Sequence, residues 1–314
     1  MALLLAGACA AVACGGGPGE TAAYPSRDVT MIVPFGAGGG SDVLSRTIAT
    51  VIGELGALPV TLLVENRPGS SGAVGYTYVA QQKGNPYTLA TVSVSFFTTP
   101  LLGASEVSYR DFTPVAAIAM SPYIMAVRAA SPIRALEDIQ KSRRLTTGTV
   151  GVVSDPVLIA RMLQKAAGVT IDAVPFDGEG EVMTAVLGGH VDFMLGNPGE
   201  VLPQIEAGTL RPVAVSTASR LSSLPDTPSF TERGFPIEHV QLRGIVMPGA
   251  VPPDAVAYWE GLLRTVAESD QWRRLYLDRF REEPRFVGSK EFGAVLESTN
   301  GLYSQLMTEL GLLR

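Results

Sequence analysis

Beyond its first residues this sequence contains no cysteine and few of the side chains on which catalysis usually depends. Its only two cysteines, Cys9 and Cys14, lie at the start, so neither a disulfide nor thiol chemistry is expected in the rest of the chain. Histidine occurs twice, and no Gly-x-Ser-x-Gly nucleophile motif is present. His190 and Asp192 alternate along a segment, which is not a convincing ligand set for a metal. No catalytic residue, metal or cofactor is therefore predicted.

Charge and long apolar runs are also scarce. Charged residues make up 17 % of the chain and the formal net charge is −6, which argues against nucleic acid or an anionic membrane surface as the main partner. After the first segment there is no run of about 18 apolar residues, so no membrane span is predicted there. Hydrophobic residues make up 46 % of 314 positions, which is enough for two folded units of roughly 150 residues.

Residues 1–23 are typical of an export leader. The short apolar run "MALLLAGACAAVAC" leads into small residues and a processing-like site, although no Lys or Arg stands at its start. "AVAC" before glycines resembles a bacterial lipoprotein signal, in which Cys14 becomes the lipidated first residue. An ordinary secretory peptide is the alternative. Both predict a periplasmic or extracytoplasmic protein whose contact with the membrane is at most a lipid anchor.

The rest of the chain alternates β-rich apolar segments with helical patterns, and this alternation occurs twice. The first block has predicted strands at 28–35, 60–66 and 87–94, with helices at 41–55 and 73–82 between them. The second block has predicted strands at 144–150, 170–176, 190–196 and 210–216, and a helix that begins at Pro156 with Asp155 as its cap. Further helices are predicted at 254–268, at 270–282 and from 289.

This pattern predicts a two-lobed α/β fold like that of periplasmic binding proteins. Each lobe is expected to be a mainly parallel sheet flanked by helices, with residues 24–126 and 237–314 in lobe 1 and residues 127–236 in lobe 2. Two crossings between the lobes would leave a cleft, and loops at the carboxyl ends of the strands would face it. Two domains in tandem are the alternative, but no linker-like segment is visible.

The segment "VPFGAGGGSD" at 33–42 places a glycine-rich loop between a strand and a helix. It lacks the third glycine of a dinucleotide fingerprint and the lysine of a phosphate-binding loop. Its backbone amides and the following helix N-terminus suit a carboxylate. Asp42 would repel an anion, so we expect it to accept amide hydrogen bonds and fix the loop. A tight turn without any ligand is the alternative.

The second block offers a matching half-site. The "GVVSD" loop supplies amides and the Ser154 hydroxyl at another helix N-terminus, and "FDGEGE" supplies Gly178 and Gly180. Capping of the helix is an equally good interpretation for Ser154. Arg243 in "QLRGIVMP" lies where the chain recrosses, so it is placed to pair with a second carboxylate, or alternatively to form a salt bridge at the surface or between the lobes.

Several blocks together resemble one family. "YPSRDVTMIVPFGAGGGSDVLSRTIA", "VENRPGSSGAVG", "GVTIDAVPFDGEGE", "LGGHVDFMLGNPGEVLPQIEAGTLRPVAVS" and "LRGIVMPGAVP" follow one another as in the Bug-type receptors of tripartite tricarboxylate transporters. The resemblance covers nearly all of the chain from about Tyr24. It implies a monomeric receptor without catalysis, which delivers an organic carboxylate to a transporter with one large and one small membrane subunit.

The resemblance also implies which residues bind the ligand. Carried over by position, they are Phe35, Gly38, Gly39, Gly40, Ser41 and Asp42 in lobe 1, Ser93 and Ser95 after the third strand, and Ser154, Asp155, Phe176, Gly178 and Asn197 in lobe 2. The chain departs from many members, with "GVVSDP" where they have a loop ending in His, Phe176 where they have Tyr, and Arg243 where they have Trp. Arginine at this position resembles the branch that includes tricarboxylate receptors, which implies a di- or tricarboxylate.

Two other functions are alternatives to a transport receptor. The same receptor would serve a signalling protein by presenting its ligand to it, and neighbouring genes for two membrane subunits would favour transport over sensing. An α/β enzyme would use the glycine loop for a phosphate, but it would need a general base near the loop or a phosphate-binding lysine, and the sequence offers neither.

Overall fold

Two mixed sheets organise the molecule, which a computed structural model describes over residues 24–150, 152–176 and 179–313. The strands are β1 (Val29–Val33), β2 (Leu62–Asn66), β3 (Thr88–Thr91), β4 (Phe112–Pro122), β5 (Ile124–Arg128), β6 (Arg144–Val150), β7 (Thr170–Phe176), β8 (Phe193–Gly196), β9 (Leu210–Val215), β10 (Val240–Pro248) and β11 (Glu283–Gly288). The helices are α1 (Gly40–Leu55), α2 (Ala73–Gln81), α3 (Ser95–Leu101), α4 (Asp155–Ala167), α5 (Glu179–Gly188), α6 (Pro198–Glu206), α7 (Pro253–Ala267), α8 (Asp270–Trp272), α9 (Asp278–Phe280) and α10 (Ser289–Glu309). A π-helical turn, Arg273–Leu277, joins α8 to α9, and shorter 3-10 turns are Ser70–Gly72, Tyr109–Asp111, Leu136–Lys141 and Thr231–Arg233.

The first sheet has the strand order β11-β4-β10-β3-β1-β2, and the second has the order β7-β6-β8-β5-β9. In the first sheet β1 pairs in parallel with β2 and β3, whereas β10 and β11 pair antiparallel with their neighbours. In the second sheet β6 pairs in parallel with β7 and β8, and β5 pairs antiparallel with β8 and β9. The strands of the predicted strand–helix units are thus parallel, and the strands that carry the chain between sheets are antiparallel.

The chain passes between the two sheets at two neighbouring points. β4 ends in the first sheet at Pro122, and β5 begins in the second sheet at Ile124, so Tyr123 lies at the first crossing. The return crossing follows β9 and ends at Val240, which is paired with Pro122 in the ladder between β10 and β4. Both crossings therefore lie side by side. The proposed division at 126/127 and 236/237 remains a prediction about domain boundaries.

Apolar residues bury both faces of the first sheet. Alternate residues of β1 point to opposite faces, so Met31 packs in the cluster around Trp259 while Ile32 packs in the cluster around Phe292. Leu158 of α4 belongs to this second cluster, which also contains residues of α10. The apolar core of the first lobe therefore extends to the start of a second-lobe helix and holds the two lobes together near the crossings.

The helix ends follow their sequence signals. Gly56 caps the C-terminus of α1 and Gly168 that of α4, both with left-handed backbone, with φ of 57° and 69°. At the start of α4 the prediction was wrong by one residue, because Ser154 takes the N-cap position and Asp155 is the first helical residue. Asp155 is free for another role because the cap position lies before it.

Candidate functional site

The glycine-rich loop presents backbone amides to solvent at the start of α1. The helix begins at Gly40, and its N-cap Gly39 has no side chain, so the first amides have no side-chain acceptor. Gly38 has φ of +84°, a left-handed value that favours glycine, and a Cβ there would meet open space. Residues 36–40 are exposed. The loop therefore offers uncapped amides and the positive end of a 16-residue helix to an anion.

Asp42 braces this loop from beneath, as the sequence predicts. Its Oδ2 accepts the Gly38 amide at 2.8 Å, and its Oδ1 accepts from Asn66 Nδ2 at 2.9 Å. Arg46 Nε lies 3.0 Å from both oxygens. Burial alone would raise the pKa of this carboxyl, but these hydrogen bonds and the charge of Arg46 hold the pKa below its ordinary value. Both oxygens of Asp42 are occupied by protein donors.

Arg243 lies beside the same helix start. A Cβ on Gly40 would lie 3.9 Å from its Nη1 atom, so the guanidinium is adjacent to the glycine loop. Its other nitrogens donate to Glu282 Oε1, Nε at 3.1 Å and Nη2 at 2.7 Å. The Glu282 side chain is 7 % exposed and also accepts from the Ser121 hydroxyl. The salt bridge of Arg243 is thus buried within the first lobe and is neither at the surface nor between the lobes, and its guanidinium lies beside the glycine loop.

Three hydroxyls form a hydrogen-bonded chain from α2 to the start of α3. The Tyr76 hydroxyl lies 3.1 Å from Ser93 Oγ, which lies 3.0 Å from Ser95 Oγ. Gly72 lies between Phe35 and Ser95, because a Cβ at this glycine would be 3.2 Å from Phe35 Cζ and 3.2 Å from Ser95 Oγ. Gly72 has φ of +90°, so a side chain here would be strained as well as crowded. Phe35, Ser93 and Ser95 are thereby brought together.

A cavity of about 500 Å³ separates the lobes and is the candidate ligand site. Ser95, Thr98 and Thr99 of α3 line its first-lobe side, and Tyr123 lines it at the crossing. The ends of β6 and β8 and the starts of α4, α5 and α6 line its second-lobe side. Four predicted residues lie on its wall: Ser95, Ser154, Asp155 and Asn197. The glycine loop and Arg243 lie outside this wall.

Ser154 meets the cavity with an unused hydroxyl. It is the N-cap residue of α4, with extended backbone, yet its side chain makes no capping hydrogen bond. Its Oγ is buried and has no partner among the described residues. A buried hydroxyl without a partner is costly, so it is the kind of group that a ligand satisfies. Capping, the alternative interpretation of Ser154, is not what the side chain does.

Asp155 of the second lobe is buried at the junction of the lobes and is held by three groups of the first lobe. Its Oδ2 accepts from the Tyr123 hydroxyl at 2.8 Å, and its Oδ1 lies 2.5 Å from His239 Nε2. The Tyr303 hydroxyl of α10 donates to the same Oδ1. Burial alone would raise the pKa of Asp155, but the charge and hydrogen bond of His239 and the two tyrosines lower it. Asp155 borders the cavity while its oxygens are engaged by the protein.

The remaining predicted residues occupy the second-lobe side. Asn197 caps α6 and donates from Nδ2 to the Pro122 carbonyl at 2.9 Å, which ties this helix start to the end of β4. Phe176 ends β7 and packs beside Gly148, where a Cβ would be 3.3 Å from its ring. Gly178 and the predicted lipidation residue Cys14 lie outside the described residues.

Two features of the cavity wall were not predicted from the sequence. α3 was not predicted, although Ser95, Thr98 and Thr99 have the i, i+3, i+4 spacing that places side chains on one helix face. The start of α5 and the first turn of α6 bring Glu179 and Glu200 together on the opposite wall. No short-range signal joins these two glutamates, because they are 21 positions apart in the sequence and meet only through the fold.

Comparisons with known proteins agree with this architecture. A family model described as "Tripartite tricarboxylate transporter family receptor" matches residues 45–308. Protein BugT of Bordetella pertussis is 29 % identical over 225 residues, 68 % of each chain. A TctC solute binding protein from Polaromonas has a TM-score of 0.84 at 29 % identity, over 91 % of this chain and 99 % of that chain. An R. palustris structure with adipate has a TM-score of 0.72 at 26 % identity, over 92 % and 98 % of the two chains. The predicted two-lobed binding-protein fold is confirmed.

Proposed function

Because the chain belongs to the tripartite tricarboxylate transporter receptor family, we propose that it binds an organic carboxylate between its two lobes and delivers it to a membrane transporter. This membership confirms the family resemblance and the prediction that the chain is a receptor and not an enzyme. The ligand and the partner subunits are the parts that we propose.

The exposed N-terminus of α1 carries the proposal. Its first amides have no side-chain acceptor, and Arg243 Nη1 lies beside Gly40, so a carboxylate there gains both hydrogen bonds and charge neutralisation. We propose that Arg243 pairs with a second carboxylate of the ligand, which would favour a di- or tricarboxylate. The adipate bound to the R. palustris relative is a dicarboxylate of this class.

Ligand capture is expected to favour a closed arrangement of the lobes. A ligand that contacts α1 on one side of the cleft and Ser154 on the other binds the closed form better than the open form. It shifts the equilibrium by that difference in affinity. The transporter, proposed to have one large and one small membrane subunit, would then recognise the closed receptor.

Receptors of this family act outside the cytoplasm, and we propose a periplasmic monomer attached at most by a lipid on Cys14. Among the helices of the described residues, none is both long enough and apolar enough to cross a membrane. Mass spectrometry of the mature N-terminus would show whether a lipidated cysteine is present.

Organic carboxylates are expected to stabilise the purified protein against heat. A ligand present at 100 times its Kd stabilises the folded state by about 2.7 kcal/mol, which corresponds to a rise in Tm of about 5 °C for a protein of this size. A thermal-shift series of mono-, di- and tricarboxylates measures this, with the matching amides and inorganic phosphate as controls. A shift with phosphate or amides and with no carboxylate would contradict the proposal.

Ser154→Ala should weaken ligand binding without weakening the fold. The substitution removes a buried hydroxyl that has no partner, so the free energy of unfolding should stay the same or rise by about 0.5–1 kcal/mol. Affinity for the carboxylate with the largest thermal shift should fall about 5–10-fold, the loss of one hydrogen bond. Isothermal titration measures the affinity, and Ser298→Ala, at an exposed hydroxyl of α10, is the control. Unchanged affinity would remove Ser154 from the site.

A further inference from the structure

Two exposed aliphatic side chains border the cavity from different lobes. Leu102 follows α3 in the first lobe and is 50 % exposed, and Val152 lies between β6 and α4 in the second lobe and is 62 % exposed. A single exposed apolar side chain needs no explanation, because much of any protein surface is apolar. Here two of them line one cavity, so a ligand that fills the cavity removes apolar surface of both lobes from water.

The rest of the cavity wall is also rich in aliphatic groups, alongside the hydroxyls of α3. Six further aliphatic residues contribute to it, three of them half-buried and three buried: Val94, Val150 and Val153, and Val182, Met194 and Leu195. The cavity volume of about 500 Å³ lies within the range of roughly 300–1,000 Å³ that is typical of small-molecule pockets. There is therefore both space and apolar surface for a hydrocarbon chain.

The cavity wall offers no positive side chain to a ligand. Among the described residues that line it, none is an arginine, lysine or histidine, and the carboxyl-bearing residues are Asp155, Glu179 and Glu200. Asp155 already accepts hydrogen bonds from protein donors at both oxygens. Moving a carboxylate from water to this wall costs desolvation, and no side-chain cation of the wall offsets that cost. The wall therefore favours an uncharged part of a ligand.

We propose that this cavity binds the hydrocarbon part of the carboxylate ligand, and that Leu102 and Val152 are specificity-determining residues that contact this chain from the two lobes. The assignment rests on the proposed function, because it takes the ligand to be a carboxylate. It holds wherever the carboxylate itself is bound, because only the uncharged part of the ligand enters this space. Acids with an alkyl chain are then preferred to compact hydroxy acids such as citrate, which bury less apolar surface.

Two series of acids, each with constant charge and a growing alkyl chain, test this preference by isothermal titration. One runs from butanoate to octanoate, and the other from methylsuccinate to butylsuccinate, which keeps two carboxylates throughout. Each methylene that becomes buried should raise the affinity roughly fourfold until the chain fills the cavity. Hexanoate against gluconate is a matched pair with equal chain length and charge, and hexanoate should bind at least about 10-fold more tightly.

Leu102→Ser/Val152→Ser should lower the affinity for the longest acid that binds about 10-fold and leave the shortest acid of the same series unchanged. Leu63→Ser/Val74→Ser is the matched control, because it makes the same two exchanges at half-exposed side chains outside the cavity wall, and it should bind every acid like the wild type. Since all four side chains are exposed, both variants should unfold near the wild-type Tm without ligand.

Several results would overturn this assignment. They are an affinity that does not rise with chain length in either series, gluconate bound at least as tightly as hexanoate, or both series failing to bind while another carboxylate raises the Tm. The role of Leu102 and Val152 is also overturned if their variant binds every acid like the wild type. It is equally overturned if short and long acids are weakened alike, since the two side chains would then contact each other and not the ligand. The proposed function fails separately, if no carboxylate of the thermal-shift series binds.

Discussion

Asp155→Asn is expected to lower the free energy of unfolding by about 3–5 kcal/mol, the loss typical of breaking a buried ion pair. The carboxylate is 3 % exposed and is surrounded by donors from His239, Tyr123 and Tyr303. Asparagine has the shape of aspartate, but its amide NH2 group replaces one acceptor oxygen. At least one of the surrounding donors is therefore left without an acceptor. Urea unfolding at neutral pH measures the difference.

Two further variants show whether the loss comes from this junction. Tyr303→Phe removes a single hydrogen-bond donor and should lower the free energy of unfolding by only about 1 kcal/mol. Asp172→Asn makes the same substitution at an exposed carboxylate of the same lobe, paired with Arg144, and should produce no measurable change. If Asp155→Asn unfolds like the Asp172 variant, the junction does not stabilise the protein as described.

The pH dependence of this effect has a defined sign. The pKa of Asp155 is lower in the folded state than the ordinary value of 3.8, so the folded state favours the ionised form. Its stabilisation is fully present above that ordinary value and is lost as the pH falls through the lowered pKa. The stability gap between the wild type and Asp155→Asn should therefore be constant near neutrality and narrow only in strongly acidic solution.

Arg243→Ala is expected to lower the free energy of unfolding by about 3–5 kcal/mol, because it leaves the buried Glu282 carboxylate without its cation. Glu282→Gln in the same chain removes the stranded charge. The double variant Arg243→Ala/Glu282→Gln should thus lose less stability than the two single variants added together, by about 1–3 kcal/mol. Strict additivity in urea unfolding would show that the two side chains do not stabilise each other.

The same residue should also affect binding, and Glu282→Gln separates this effect from stability. In Glu282→Gln the arginine is retained, so affinity for a di- or tricarboxylate should be maintained or rise. In Arg243→Gln/Glu282→Gln the charged hydrogen bond beside Gly40 is missing, and affinity should fall about 10–100-fold. Isothermal titration of the two variants measures the difference, and equal affinities would remove Arg243 from the ligand site.

Most of the framework could be predicted from local sequence patterns. Apolar β-rich segments and helix signals predict β1 to β3, β6 to β9, α1, α2 and α4, and the structure contains each of these elements. The bracing role of Asp42 could also be predicted, because a carboxylate just after a glycine-rich loop has backbone amides within reach. These features depend on neighbours in the chain, which the sequence displays directly.

Features that depend on distant partners could not be predicted in this way. Asp155 is a plausible ligand contact by sequence, and only the fold brings Tyr123, His239 and Tyr303 to its two oxygens. α3 contains Pro100 and hydroxyl-bearing residues that weaken a helical pattern, and tertiary packing overrides this local preference. Burial, together with Glu179, likewise raises the pKa of Glu200 to about 9, and no sequence pattern reveals that burial or that neighbour.

The junction at Asp155 also ties the start of α4 to the first lobe, through the hydroxyls of Tyr123 and Tyr303. If the lobes close on a ligand as proposed, this tie predicts a pivot near Asp155. Ser154 precedes Asp155 in the chain, so its hydroxyl would move little relative to the first lobe during closure. A proposed ligand contact at Ser154 would then form before closure, and discrimination between ligands would fall to the parts of the second lobe that move more.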